Sequence, residues 1–203
     1  MFRAEAVRAS GMRRAVSFAA AEGELVLITG PSGSGKSRLL RALADLDPHD
    51  GQVWLDGRPQ TDWPPCDWRR QVMYFPATYA WWTSTPAETF DVPPDVALLS
   101  RLGLTEAHLH RSVDRLSSGE LQRLGLLRGI MRRPCVLLLD EPTSHLDAET
   151  TLIVEQWLLA LRDQGCALVW VSHDLAQRTR LAPDQRVTLG EMPGSGTSIH
   201  QKN

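Results

Sequence analysis

The chain has 203 residues and a formal charge of −2, which leaves room for one α/β domain with a sizeable core and argues against a general polyanion binder. No apolar run reaches the roughly 18 residues that a membrane-spanning helix needs, and the opening MFRAEAVRAS lacks the apolar stretch of an export signal, so a cytosolic chain is expected. The three cysteines show no CxxC spacing and fit a reducing compartment; Cys135 and Cys166 lie in apolar runs and are expected in the core.

ELVLIT (24–29) is a short apolar run ending in Gly30 and reads as a buried strand, and KSRLLRALADL (36–46) has helical spacing. GQVWLDG (51–57) alternates and ends in Asp-Gly, the pattern of an edge strand and its turn. QVMYF (71–75) is a further strand, stopped by Pro76. Residues 77–117 carry no strand signal and predict a helical insert. Ser117, Ser118 and Gly119 then cap a helix with apolar residues at 121, 124, 126, 127 and 130. CVLLLD (135–140) and ALVWVS (167–172) read as core strands on either side of the amphipathic AETTLIVEQWLLALRDQG (148–165). RVTL offers one weak strand before a polar tail. Strands alternating with helices predict a single α/β domain over 1–203, with a mostly parallel sheet covered on both faces.

GPSGSGKS (30–37) matches G-x-x-x-x-G-K-[ST] and sits where that pattern must sit, between a strand and a helix. Its glycines let backbone amides turn inward around phosphates, and the helix N-terminus adds partial positive charge. Lys36 is placed for the outer phosphates and the Ser37 hydroxyl for Mg²⁺. Lys36 also stands out because the only other lysine is Lys202. Asp140 ends a strand expected to be buried beside the phosphate-loop strand, where a carboxylate can hold a metal water, and Glu141 follows at the strand exit, within reach of an attacking water. The blander reading of Asp-Glu-Pro is a turn that caps the next element. An NTPase, a kinase or a GTPase would all use these parts. The Asn/Thr-Lys-x-Asp reader of a guanine base is absent, and a small-molecule kinase leaves Ser117-Ser118-Gly119 unexplained.

The phosphate loop, LSSGELQR, LLLDEP, SHLD and SHD, in that order and spacing over essentially the whole chain, resemble the ATP-binding cassette (ABC) ATPases. The resemblance implies a P-loop NTPase fold of ABC type, with a small antiparallel edge and a helical subdomain at about 77–117. It implies ATP and Mg²⁺ as ligands. Gly30, Pro31, Ser32, Gly33, Ser34, Gly35, Lys36, Ser37 and Arg38 would cradle the phosphates, and Ser37 and Asp140 would serve the metal. Glu141 and His173, with Lys36, would carry hydrolysis. Ser117, Ser118, Gly119 and Glu120 would face the ATP held by a second copy in a head-to-tail dimer, and SHLD (144–147) would cross that interface. A short single cassette further implies a separate transmembrane permease and a peripheral place on the inner face of the plasma membrane, with no nucleic-acid partner. ITGPSGSGKS, LVWVSHD and RVTLGEMPG look most similar to iron-exporting cassettes of the Fet type.

Four departures from the family pattern stand out. Ser118 occupies the place of the first signature glycine, and Glu120 that of a glutamine. Ala77 stands where the family's Q-loop glutamine follows the strand, so the expected metal shell has one more water, with Thr78 the adjacent side chain. The adenine-stacking aromatic is missing from EAVRASG (5–11), where Arg8 alone has a planar group. Tyr79, Trp81, Trp82 and Phe90 are expected to divide between a local core and a surface that receives the permease. His49, His108, His110, His145 and His200 show no ligand spacing and are assigned no chemistry.

Overall fold

The computed structural model describes residues 1–190. The chain opens with β1 (Phe2–Ala9) and β2 (Val16–Ala20), followed by β3 (Leu25–Thr29) and α1 (Lys36–Leu43). β4 (His49–Leu55) and the short β5 (Arg58–Pro59) come next, then α2 (Pro65–Gln71) and β6 (Val72–Phe75). α3 (Val96–Arg101), α4 (Glu106–His110) and α5 (Ser118–Ile130) precede β7 (Val136–Asp140), α6 (Ala148–Asp163), β8 (Ala167–Val171), α7 (Leu175–Arg180) and β9 (Gln185–Thr188). Residues 77–117 hold α3, α4 and single 3₁₀ turns at Pro86–Thr89 and Val113–Arg115, without a strand.

Two sheets form. An antiparallel sheet of four strands has the order β2-β1-β4-β5, and a parallel sheet of five has the order β6-β7-β8-β3-β9. Strand alternation sorts the parallel sheet into two faces. Val26, Ile28, Val136, Leu138, Val169 and Val171 pack with α1 and the antiparallel sheet. Leu25, Leu27, Leu137, Leu139, Leu168 and Trp170 pack with α5, α6 and the helical segment. Because both faces are covered, β3, β7 and β8 read as continuous apolar runs.

The structure corrects four expectations. The strand that ends in Asp140, β7, does not lie beside the phosphate-loop strand β3: β8 stands between them. β4 is not an edge strand: it pairs with β1 on one side, and the Asp56-Gly57 turn returns the chain as β5 on the other. Cys135 is exposed and Cys166 half-buried, because each stands one residue before its strand, at the rim of a groove of about 600 Å³. α1 ends at Leu43, not Leu46; the Asp45 backbone turns left-handed (φ 58°) and stops it. The tail beyond Gly190, including His200 and Lys202, lies outside the described residues.

Candidate nucleotide site

All the strands of the larger sheet run the same way, so the segments leaving β3, β6, β7 and β8 gather along one edge. The loop leaving β3 makes its turn through glycines that no side chain could replace. A Cβ on Gly30 (φ 145°) would lie 2.5 Å from the Leu189 carbonyl oxygen, and one on Gly35 (φ 97°) would lie 2.7 Å from Met12 Cγ. Gly35 opens α1 without any side-chain cap, and the first helical bond is Leu39 N–H to the Gly35 carbonyl at 2.8 Å. The amides of Lys36, Ser37 and Arg38 therefore precede the helical ladder and form an anion-binding end. Ser34 Oγ is buried in the same loop without a hydrogen-bond partner. Lys36 is buried, and its ammonium donates to the carbonyls of Gly30 (2.9 Å) and Pro31 (3.0 Å). Burial pulls its pKa below the ordinary lysine value, against the opposing pull of Glu141 and Asp140. The Arg38 guanidinium turns away, donating to the Ser10 carbonyl at 2.9 Å, which leaves its amide as the part that faces the loop.

Asp140 ends β7, is 5% exposed, and accepts one side-chain hydrogen bond, from the Tyr74 hydroxyl at 3.0 Å. Burial and the adjacent Asp140 carboxylate push the Tyr74 phenol well above its ordinary pKa, so it stays a proton donor. Glu141 has φ 49°, a left-handed backbone uncommon for a side chain of this size and typical of strain held at a working site. Its carboxylate meets His173 Nε2 at 2.9 Å. His173 stands two residues beyond β8, the neighbour of β7.

Buried polar side chains hold this turn from two sides. From α5, Gln122 donates to the Glu141 carbonyl (3.3 Å) and accepts from the His145 amide (3.2 Å). From α7, Gln177 donates to Thr143 Oγ1 and to Glu155 Oε1, both at 2.8 Å. Glu155, 2% exposed, also receives both ends of the Arg180 guanidinium at 2.7 Å. The sequence reading missed Tyr74, Gln122 and Gln177. A glutamine four residues after His173, on the helix that follows it, is the available signal for Gln177.

Ser117 to Glu120 form the start of α5. The Ser117 hydroxyl accepts from the Glu120 amide (3.2 Å) while Glu120 Oε2 accepts from the Ser117 amide (2.7 Å), a reciprocal cap. His108 Nδ1 accepts from the Thr105 amide (3.0 Å), so its Nε2 carries the proton offered to Glu120 Oε1 at 3.1 Å. A histidine assigned no chemistry thus supports the cap. Burial would raise Glu120, but the Ser117 backbone and hydroxyl and His108 outweigh it and hold its pKa below the ordinary value. A Cβ on Gly119 would lie 3.1 Å from the His145 carbonyl oxygen, so α5 starts hard against the 141–147 turn. Among the described residues no hydrogen bond links Ser117–Glu120 to the loop at 30–37, whereas Lys36, Asp140, Glu141 and His173 share one edge.

Arg8 is engaged elsewhere, its Nη2 2.7 Å from Asp50 Oδ2. A cavity of about 240 Å³ beside Pro31–Ser34 is lined by Met12, Arg13 and Arg14 among others, including Ala15, Val16 and Thr188. Of the four aromatics after Ala77, Tyr79, Trp81 and Phe90 pack against the core, while Trp82 is 74% exposed. The Arg128 guanidinium lies 4.7 Å from the Trp81 ring and 4.8 Å from that of Trp82. No helix among the described residues is long and apolar enough to cross a membrane.

A parallel sheet with a glycine loop opening α1 at its carboxyl edge, and two acidic residues at the end of the strand two places away, is the architecture of a P-loop nucleoside-triphosphatase. Residues 14–144 match the ABC transporter family, and the chain belongs to that family, as one of its ATP-hydrolysing subunits. It is 36% identical over 172 residues to the "Probable iron export ATP-binding protein FetA" of Escherichia coli, covering 78% of this chain and 76% of that protein. It is 35% identical over 196 residues to the "Lipoprotein-releasing system ATP-binding protein LolD" of Idiomarina loihiensis, covering 86% and 83%. A solved dimeric post-hydrolysis state of an ATP-binding cassette with ADP and phosphate shares the fold at a TM-score of 0.78 and 24% identity, covering 93% of this chain and 94% of the other.

Proposed function

We propose that this chain binds and hydrolyses ATP as a head-to-tail dimer and drives a separate membrane permease, from a peripheral position on the cytoplasmic face of the membrane. The observation that carries the reading is the Glu141–His173 pair at 2.9 Å, set on the same edge as the uncapped start of α1 and the Lys36 ammonium. Gly30 to Arg38 cradle the phosphates by backbone amides, and Lys36 leaves its two carbonyl partners for the stronger charge of a phosphate. Glu141 accepts a proton from the attacking water, and His173 orients the Glu141 carboxylate and contacts the terminal phosphate. Mg²⁺ fits the donor chemistry: the Ser37 hydroxyl and the Asp140 carboxylate are hard oxygen donors, and Asp140 is buried with no ion pair among the described residues. When bound, the ion neutralises charge on the phosphates.

The α5 start, with Ser117, Ser118, Gly119 and Glu120, is exposed or half-exposed and faces the ATP of the second copy. Met12, Arg13 and Arg14 line the base end of the site. Trp82, braced by Arg128, belongs to the surface offered to the permease. The cargo follows the permease; iron and lipoprotein appear among the relatives' names. The test is to pull the tagged chain from detergent-solubilised membranes with ATP present. A co-purified membrane protein that raises its phosphate release supports the reading; an undiminished ATPase with no membrane partner overturns the transport part of it.

A further inference from the structure

The Tyr74–Asp140 hydrogen bond crosses between neighbouring strands. β6 and β7 run parallel with Tyr74 opposite Leu138, and Asp140 lies two residues further on the same face of β7. The ring packs against the core cluster beneath α1. Among the described residues, the Tyr74 hydroxyl is the one side-chain donor to Asp140 and no cation is paired with it. A carboxylate this buried with a single donor is under-satisfied. The bond occupies Oδ2 and leaves Oδ1 for whatever completes the site.

Tyr74 is the one polar side chain on β6. Three residues on stands Ala77, whose methyl group can neither ligate nor donate. We propose that Tyr74 is a positioning residue for the metal-side carboxylate: its hydroxyl fixes which oxygen of Asp140 serves the metal. The inference rests on the reading of Asp140 given above. It concerns how the carboxylate is held, and second-sphere partners of this kind matter to metal affinity about 10–100-fold.

Mn²⁺ is the probe. It is titrated into the full chain with a non-hydrolysable ATP analogue, and free Mn²⁺ is read by electron paramagnetic resonance. Tyr74→Phe keeps the ring and removes only the donor. Its Mn²⁺ affinity should fall about 10-fold or more, and the Mg²⁺ concentration for half-maximal hydrolysis should rise in step, with turnover at saturating Mg²⁺ nearly retained. Asp140→Asn should weaken Mn²⁺ binding more, and adding Tyr74→Phe to it should change nothing further. The metal-free melting temperature of Tyr74→Phe should fall by several degrees at most, because the buried Asp140 loses its one side-chain donor, and circular dichroism at the titration temperature should still report folded protein. Wild-type Mn²⁺ affinity in Tyr74→Phe, with affinity lost in Asp140→Asn, overturns the role of Tyr74 and leaves the Asp140 reading standing. Affinity kept in both variants overturns the two together. A chain unfolded at the titration temperature, with Mn²⁺ affinity regained where lower temperature refolds it, makes Tyr74 a packing residue, and the proposal falls.

Discussion

Two helices of this chain begin at sites suited to an anion, and they begin differently. α1 starts at Gly35 with no side-chain cap, and its first amides have no hydrogen-bond partner among the described residues. α5 starts at Ser117, whose hydroxyl and backbone exchange hydrogen bonds with Glu120. Around α1 stand a buried ammonium, a buried carboxylate and the Glu141–His173 pair. Around α5 stand His108 and Arg111, both turned to Glu120. A helix end left uncapped is satisfied by water or by a ligand. A helix end that caps itself is stable alone and can present its remaining amides to a neighbour without depending on one. On the proposed reading the first carries the chemistry, and the second recognises a phosphate brought by another copy.

The sharpest way to break that division is Glu141→Gln. If the chemistry resides at the α1 edge, hydrolysis should fall by about 10²–10⁴-fold, the span of general-base catalysis, while ATP binding persists. Phosphate release in single turnover measures the first and equilibrium dialysis the second. Light scattering should also show an ATP-dependent dimer that wild type does not accumulate. Unchanged turnover would remove Glu141 from its role. The scaffold beneath the same edge gives the next largest effect. Arg180→Ala leaves the Glu155 carboxylate buried against Gln177 alone. The cost should be about 2–3 kcal/mol, at or below the low end for breaking a buried pair because Arg180 is itself partly exposed. Urea unfolding reads it, and a loss within experimental error would show that the Gln177–Thr143 contact does not depend on that pair.

The α1 edge was legible in the sequence because its residues sit at fixed points of a motif: a loop after an apolar strand, and acids or a histidine just past two others. What stayed hidden depends on register. Tyr74 meets Asp140 only because β6 lies beside β7 with Tyr74 opposite Leu138, and nothing in the order of residues states that pairing. β1 escaped for a related reason. Phe2 and Ala4 are buried, then Val7 and Ala9, so the alternation shifts phase at a bulge where Ala6 takes φ 48°. Cys135 and Cys166 misled because an apolar run continues past the point where covering layers end. The start of α5 was legible as a capping box, but the part of His108 in it was not, since the contact joins two helices with a turn between them.

Acid should expose the self-contained cap of α5. Glu120 holds its proton less tightly in the folded chain than its ordinary value of 4.5, so the folded state binds fewer protons there than the unfolded state. Its contribution to stability is complete above that value and is lost as pH falls through the lower, folded one. Urea midpoints taken from neutral pH down to acid should decline, and Glu120→Gln should decline less steeply because the titrating group is gone. Parallel curves for the two proteins would mean that Glu120 is not held as its contacts to Ser117 and His108 imply.

The smallest expected effect bears most directly on what the α5 start is for. Ser118 is the first helical residue, is exposed, and makes no side-chain hydrogen bond among the described residues. Replacing it by glycine gives up helix preference in the first turn, worth at most about 1 kcal/mol to the isolated chain. If the α5 start served only its own fold, Ser118→Gly would be slightly harmful and nothing else. If it receives a phosphate from another copy, removing the hydroxymethyl group lets the backbone amides approach more closely, and the gain appears only when two copies meet around ATP. The comparison is best made in the Glu141→Gln background, where turnover does not dissipate the dimer. Ser118→Gly should there lower the ATP-dependent dimer dissociation constant while slightly lowering the melting temperature of the monomer. Opposite signs in one substitution separate recognition from folding; a dimer constant that is unchanged or weakened would leave the α5 start as a helix cap and no more.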